Sequence, residues 1–156
     1  MGEVVAIHIA DRAGAAMRRR GEVEAVAGEG LVGDRYRDGT GFYSTTPTDP
    51  GARELTLIAE EALAAILAET GIALGLDEHR RNVTTRGVAL APLIGKRFRI
   101  GMVMCEGLRD CPPCVHLEEI TGKRVMPPLV RRGGLRARIV ESGWIRVGDQ
   151  IEPIAE

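Results

Sequence analysis

The stretch Leu135-Arg136-Ala137-Arg138-Ile139-Val140-Glu141-Ser142-Gly143-Trp144-Ile145-Arg146-Val147 decides the fold class. It reads as two short strands, Leu135 to Val140 and Trp144 to Val147, joined as a hairpin by a turn at Glu141-Ser142-Gly143. Gly148-Asp149 then turns the chain into Gln150-Ile151. Working outward, Arg97-Phe98-Arg99-Ile100 alternates, Gly101 interrupts, and Met102 to Cys105 continues. Glu3 to Ala10 and Arg53 to Ile58 read as further strands. Only two segments read as helices. Ala59 to Thr70 carries apolar residues at Ala59, Ala62, Leu63, Ile66 and Leu67, with Glu60 and Glu61 in its first turn and Gly71 as its stop. Val115 to Thr121 is the second, stopped by Gly122. Many short strands with Gly-rich connections predict a mainly β fold with helical insertions, a barrel-like domain.

At 156 residues the chain is long enough for one well-buried core and too short for two ordinary domains, so one domain over 1–156 is expected. Residues classed as hydrophobic make up 44% and charged ones 28%, with a net charge of −1, an ordinary globular composition. Near-neutral charge with two Phe, two Tyr and one Trp argues against a nucleic-acid surface, which needs a basic field and stacking rings. The N-terminal stretch has no basic n-region with a long apolar run behind it, and no stretch approaches the roughly 20 apolar residues that span a bilayer. No membrane is therefore expected. Three cysteines clustered between Cys105 and Cys114 do not form a disulfide framework. They fit a reduced, cytoplasmic protein with a reactive or metal-binding thiol.

The thiols carry the chemistry. Cys111-Pro112-Pro113-Cys114 stands directly before the second helix, and Pro113 suits a first helical position, so Cys114 is expected in the first turn. Unpaired N–H groups and the helix dipole favour an anion there, a thiolate included. A thiolate binds metals, attacks electrophiles or carries sulfane sulfur. Three readings of the cysteines remain open: a structural zinc held by Cys105, Cys111, Cys114 and His116, a thioredoxin-like dithiol, and inert burial, which suits Cys105. The zinc spacing lacks a second separated pair, and the Cys-x-x-Cys comes late, after a β-rich region.

Two polar stretches are candidate anion sites. His79-Arg80-Arg81-Asn82-Val83-Thr84-Thr85-Arg86-Gly87 reads as a turn offering guanidinium groups, an amide and hydroxyls. Arg131-Arg132-Gly133-Gly134-Leu135-Arg136 is basic and Gly-bearing. By contrast Arg18-Arg19-Arg20 reads as a solvated turn. Tyr36 to Pro50 is a loop long enough to be functional or mobile.

In family order, the sequence carries Gly30-Leu31-Val32-Gly33-Asp34-Arg35, Arg53-Glu54-Leu55-Thr56-Leu57-Ile58, Arg80 to Val88, Leu93 to Gly101, Glu106 to Cys114, Arg132 to Ala137 and Ile145-Arg146-Val147-Gly148-Asp149. Together these resemble a MOSC domain, the module at the C-terminal end of molybdenum cofactor sulfurases and in stand-alone bacterial proteins. The resemblance implies a MOSC-type closed β-barrel-like fold with one functional cysteine, mapping onto Cys114. Such a cysteine ligates molybdenum in the family's reductases and is thought to carry a persulfide in its sulfurases. The Arg-x-Asn piece maps onto Arg80 and Asn82, with Arg81 and the hydroxyls of Thr84 and Thr85 beside it. The implied cofactor is the molybdenum cofactor, a molybdopterin whose phosphate suits such a polar loop.

Tyr36 stands where many stand-alone members have His. The resemblance covers the module without the further subdomains of the reductases or the pyridoxal-phosphate half of the sulfurases. The expected function is use of Cys114 with the molybdenum cofactor, either as metal ligand in reducing a small N-hydroxylated molecule or as sulfur carrier, with Cys111 as a second thiol able to resolve a persulfide or disulfide. The alternative is a non-catalytic cofactor-binding module acting with a partner enzyme. A cysteine desulfurase or a redox protein is the expected kind of partner.

Overall fold

In a computed structural model of the chain, which describes residues 2–154, seven strands close into a barrel. The remaining positions of the expected 1–156 domain, 1 and 155–156, lie outside the described residues. In chain order the elements are β1 (Gly2–Ile9), β2 (Arg18–Arg20), β3 (Glu22–Val26), β4 (Gly30–Leu31), α1 (Arg35–Asp38), β5 (Leu55–Ala59), α2 (Glu60–Thr70), β6 (Val83–Arg86), β7 (Arg97–Ile100), β8 (Val103–Asp110), α3 (Val115–Thr121), α4 (Met126–Leu129), β9 (Leu135–Glu141), β10 (Gly143–Arg146) and β11 (Gln150–Pro153). The barrel runs β11-β7-β8-β9-β5-β6-β1, and β1 pairs back to β11 to close it. β2 extends β1, and β10-β3-β4 form a separate small sheet.

The periodicities explain the elements. α2 caps on extended Ala59, ends on left-handed Gly71, and buries Leu63 and Ile66 while leaving Leu67 exposed. It is the crossover between β5 and β6, which are parallel, as such a connection requires. Inside the barrel, Ile7, Leu55, Leu57, Phe98, Ile100, Cys105 and Ile139 form one fully enclosed core. A second cluster, Ile58, Leu63, Ile66, Leu117, Val125 and Leu129, lies under α2, α3 and α4.

The structure corrects four expectations. Leu135 to Val147 is two strands but no hairpin: β9 pairs with β8 and β5, whereas β10 pairs with β3. Only Ser142 separates them, too short for a two-residue hairpin turn, so the chain turns a corner from barrel to small sheet. The Ser142 hydroxyl accepts the Ala27 N–H at 2.8 Å and fixes that corner. Arg18–Arg20 is a strand, its exposed side chains solvated while its backbone pairs with β1. Val83–Arg86 is a barrel strand where a polar turn was expected, which buries Thr84 and Thr85. Finally, the helices outnumber the expected two, since α1 and α4 are single turns too short to show periodicity.

Candidate functional site

β8 delivers the chain to Cys111 at one end of the barrel, and a cavity of about 280 Å³ opens there. Its walls come from the Cys111–Cys114 segment, α1, the 42–53 loop and the stretch before β6. The cysteine segment is held from behind. Cys111 donates its N–H to the Gly134 carbonyl at 2.8 Å. The Arg81 guanidinium donates from Nε to the Gly133 carbonyl (2.8 Å), from Nη1 to the His79 carbonyl (3.0 Å), and from Nη2 to the Cys111 and Pro112 carbonyls (3.0 and 3.2 Å). Gly133 is required for this closeness, because a Cβ there would collide with the Cys111 carbonyl oxygen.

Cys114 lines the cavity as the N-cap of α3, with extended backbone (φ −142°, ψ 165°), not in the first turn as expected. Its carbonyl accepts the Leu117 and Glu118 N–H groups at 3.1 and 3.3 Å, so the helix begins at Val115, two residues later than Pro113 suggested. Cys111 is buried on the same cavity wall, and the chain runs between the two with no turn. That extended path differs from the helical start of a thioredoxin-like dithiol. Cys105 sits in the barrel core opposite Phe98 and Ile139, where burial pushes its thiol up to about 12. It cannot join Cys111 and Cys114 around a metal, and among the described residues no three His, Cys, Asp or Glu side chains converge.

The charge of the cavity is one-sided. Arg35, Arg53, Arg80, Arg81, Arg109 and Arg136 line it, and among the described residues no carboxylate does. Arg35 is buried and ion-paired to Asp34 at 3.0 Å, and Asp34 also accepts the Ala10 and Tyr36 N–H groups, capping α1. Arg80 is nine-tenths buried in left-handed backbone (φ 63°), which costs a non-glycine residue about 1 kcal/mol or more. Its Nη1 donates to the Ala15 carbonyl at 2.7 Å, while its buried Nη2 has no partner among the described residues. Burial first, and Arg35 second, pull the Arg80 guanidinium below its ordinary value. An unsatisfied buried donor on a cationic group is costly unless something anionic meets it.

Aromatic rings cover the opposite wall. Phe42 stacks on His116 with centroids 3.7 Å apart and planes 7° from parallel, and Tyr43 meets Phe42 edge-on at 4.8 Å. Burial and the adjacent Cys114 sulfur push the Tyr43 hydroxyl up to about 12, so it stays protonated and can donate toward sulfur. Burial and then Arg80 lower His116, which favours the neutral ring.

Of the expected site residues, the fold therefore gathers Cys111, Cys114, Arg80 and Arg81 on one cavity. Arg81 has spent its donors on carbonyls and acts as a strut there. Asn82, Thr84 and Thr85 lie in the layer behind, buried and bonded to the scaffold. The Asn82 amide accepts from Thr56 N–H and hydroxyl (3.1 and 3.0 Å) and donates to the His8 carbonyl. Thr84 bonds the His79 ring at 2.9 Å, and Thr85 donates to the Ile58 carbonyl at 3.4 Å. Sequence reasoning missed the aromatic wall and Arg35. A signal was present: Tyr36, Phe42 and Tyr43 place three of the five aromatic residues within eight positions.

A family model described as the MOSC domain matches residues 33–152. The fold is similar to that of the YuaD protein from Bacillus subtilis (TM-score 0.80, 16% identity, covering 98% of this chain and 96% of that one). It is also similar to YiiM from Geobacillus stearothermophilus (TM-score 0.75, 12% identity, 99% and 76% covered) and to YiiM from Escherichia coli (TM-score 0.67, 15% identity, 99% and 70% covered). No curated protein matches the sequence. No helix among the described residues is long and apolar enough to cross a membrane.

Proposed function

The chain belongs to the MOSC domain family, and from that premise we propose that its cavity binds the molybdenum cofactor, with Cys114 as the protein's ligand to the metal. The observation that carries this is the sharing of one cavity by the Cys114 thiol and Arg80, whose buried Nη2 has no partner among the described residues. The residues present fit the group. A soft thiolate suits molybdenum, and a buried Arg with a free donor suits the pterin's phosphate. When bound, the cofactor supplies two-electron oxidation and reduction at the metal, the chemistry that reduction of an N-hydroxylated small molecule requires.

The chain's own residues set the conditions. Arg80 takes the anionic end with Nη2, and Arg35, neutralised by Asp34, fixes the carbonyl of Arg80 through a 3.3 Å bond. Arg81 holds the Cys111–Pro112 carbonyls and so fixes where Cys114 begins. Tyr43, kept protonated by burial and by the nearby Cys114 sulfur, lines the same cavity as a donor available to that sulfur once the cofactor is bound. Phe42, stacked on His116, gives the cavity an aromatic wall.

A second reading has its own support. Cys114 is part-exposed, and Val115 and Phe42 beside it are exposed apolar side chains. A thiol so placed is open to a partner such as a cysteine desulfurase, which fits a persulfide carrier. The test is turnover: protein from a host that makes the cofactor is given an electron donor and an N-hydroxylated base. Reduction that disappears in Cys114→Ala supports the reductase. Absence of turnover, with cyanide-releasable sulfur on Cys114, supports the carrier.

A further inference from the structure

Of the six cavity arginines, Arg81 is spent on backbone carbonyls and the other five fall into two sets. Arg35 and Arg80 lie inside, buried, with Asp34 as a counter-charge. Arg53, Arg109 and Arg136 line the outer part, half-buried or exposed. Among the described residues none of these three makes an ion pair, unlike most other strand arginines. The pairing of β8 with β9 makes the contrast sharp. Glu106 stands opposite Arg138 and bonds it at 2.9 Å, as cross-strand charges ordinarily do. A few residues along the same pair of strands, Arg109 stands opposite Arg136, like charge against like. Arg53 adds a third positive charge. Its Nη1 is fixed on the Thr46 carbonyl at 2.6 Å; burial lowers its guanidinium first, Tyr36 opposes that, and the charge of Arg136 adds a smaller lowering. Like charges facing across a ladder destabilise it unless an anion lies between them.

We propose that Arg53, Arg109 and Arg136 form a second anion subsite at the mouth of the cavity, which takes the carboxylate or phosphate of a small anionic substrate. This rests on the reading of the inner cavity as the cofactor site, and it names the substrate class for that site. Arg53 and Arg136 each donate one Nη1 N–H to a backbone carbonyl, of Thr46 and of Ala52 (3.3 Å), and keep their other N–H groups, with those of Arg109, for an oxyanion. A cavity lined by one sign of charge also raises the local concentration of such a molecule. The reacting end of the substrate would then point inward toward Cys114, on the same cavity.

The test titrates inorganic phosphate and, in parallel, acetate into the purified full chain by calorimetry, with molybdenum measured on the same samples. Wild type is compared with Arg109→Gln, Arg136→Gln and the ion-paired control Arg138→Gln. The expected result is a Kd for the preferred oxyanion raised about five- to tenfold in each of the first two, the loss of one exposed charge-assisted contact. Arg138→Gln leaves it unchanged, and molybdenum content stays at the wild-type level throughout. The two titrations tell which oxyanion the subsite prefers. Absence of oxyanion binding in wild type, or an unchanged Kd in both variants, overturns the proposal. So does a fall in molybdenum in both variants, because the arginines would then serve the cofactor's own phosphate. Molybdenum-free wild type that still binds oxyanion through Arg109 and Arg136 would instead sink the cofactor reading and leave the anion subsite standing.

Discussion

Replacing Arg81 with Met tests how the cysteine segment is held. The side chain is 7% exposed, and its guanidinium makes four bonds of 2.8 to 3.2 Å to the carbonyls of Gly133, His79, Cys111 and Pro112. Hydrogen bonds to a charged group contribute about 1.5–3 kcal/mol each, and four summed naively exceed what one residue ordinarily supplies. Two of the carbonyls belong to Cys111 and Pro112, which line the cavity, so water can reach them when the Arg is gone. The expected net cost is therefore about 3–5 kcal/mol, a fall in Tm of about 10 °C for a chain of this size. Arg81→Lys, which reaches fewer of the four carbonyls, should cost about 2 kcal/mol. Arg80→Met is the control: it removes one bond to Ala15 and one unpartnered donor, and should change stability by about 1 kcal/mol or less while weakening anion binding. Thermal unfolding followed by circular dichroism reads all three, and the alkylation rate of Cys114 reports whether its segment has loosened. Arg81→Met within 1 kcal/mol of wild type would refute the strut.

Three further outcomes follow from the same geometry. Gly133→Ala forces a Cβ onto the Cys111 carbonyl oxygen and should cost about 2–3 kcal/mol by urea unfolding. Cys105→Ala empties part of the barrel core and should cost about 1–2 kcal/mol with anion binding intact, whereas Cys114→Ala should leave stability nearly unchanged. The His79 ring accepts the Arg81 N–H at Nδ1, so Nε2 carries the proton and donates to Thr84. Burial, then Arg81, holds its pKa down to about 3 against an ordinary 6.5. Between those limits the unfolded chain binds the extra proton, so stability is full above pH 6.5 and falls with pH, by about 2 kcal/mol at pH 5. His79→Gln should flatten that part of a stability–pH profile, and an unchanged slope would place the titration elsewhere.

Which parts of this were legible in the sequence has a physical logic. Strands with alternating or continuous apolar runs, β1, β5, β7 and β9, declared themselves, as did α2 with its apolar stripe and terminal Gly71. Pairing partners did not. Leu135 to Val147 looks like a hairpin locally, and only closure of the barrel sends β10 to β3. The site was half legible for the same reason. Cys111, Cys114, Arg80 and Arg81 announce chemistry by residue type, and the fold gathers them. Asn82, Thr84 and Thr85 look alike on paper, but Asn82 bonds Thr56 and His8, and Thr84 and Thr85, on opposite faces of β6, are each buried against the scaffold, bonding His79 and the Ile58 carbonyl. Arg109 and Arg136 are 27 positions apart and meet only through strand register, which no local pattern reveals.

The central claim is that Cys114 and Arg80 together hold the molybdenum cofactor. The measurement that tests it most directly is the molybdenum-to-protein ratio, by elemental mass spectrometry, of protein purified from a host that makes the cofactor. Wild type should carry near-stoichiometric molybdenum, Cys114→Ala should carry none, and Cys105→Ala should match wild type. Equal molybdenum in wild type and Cys114→Ala, or none in either, would contradict the account.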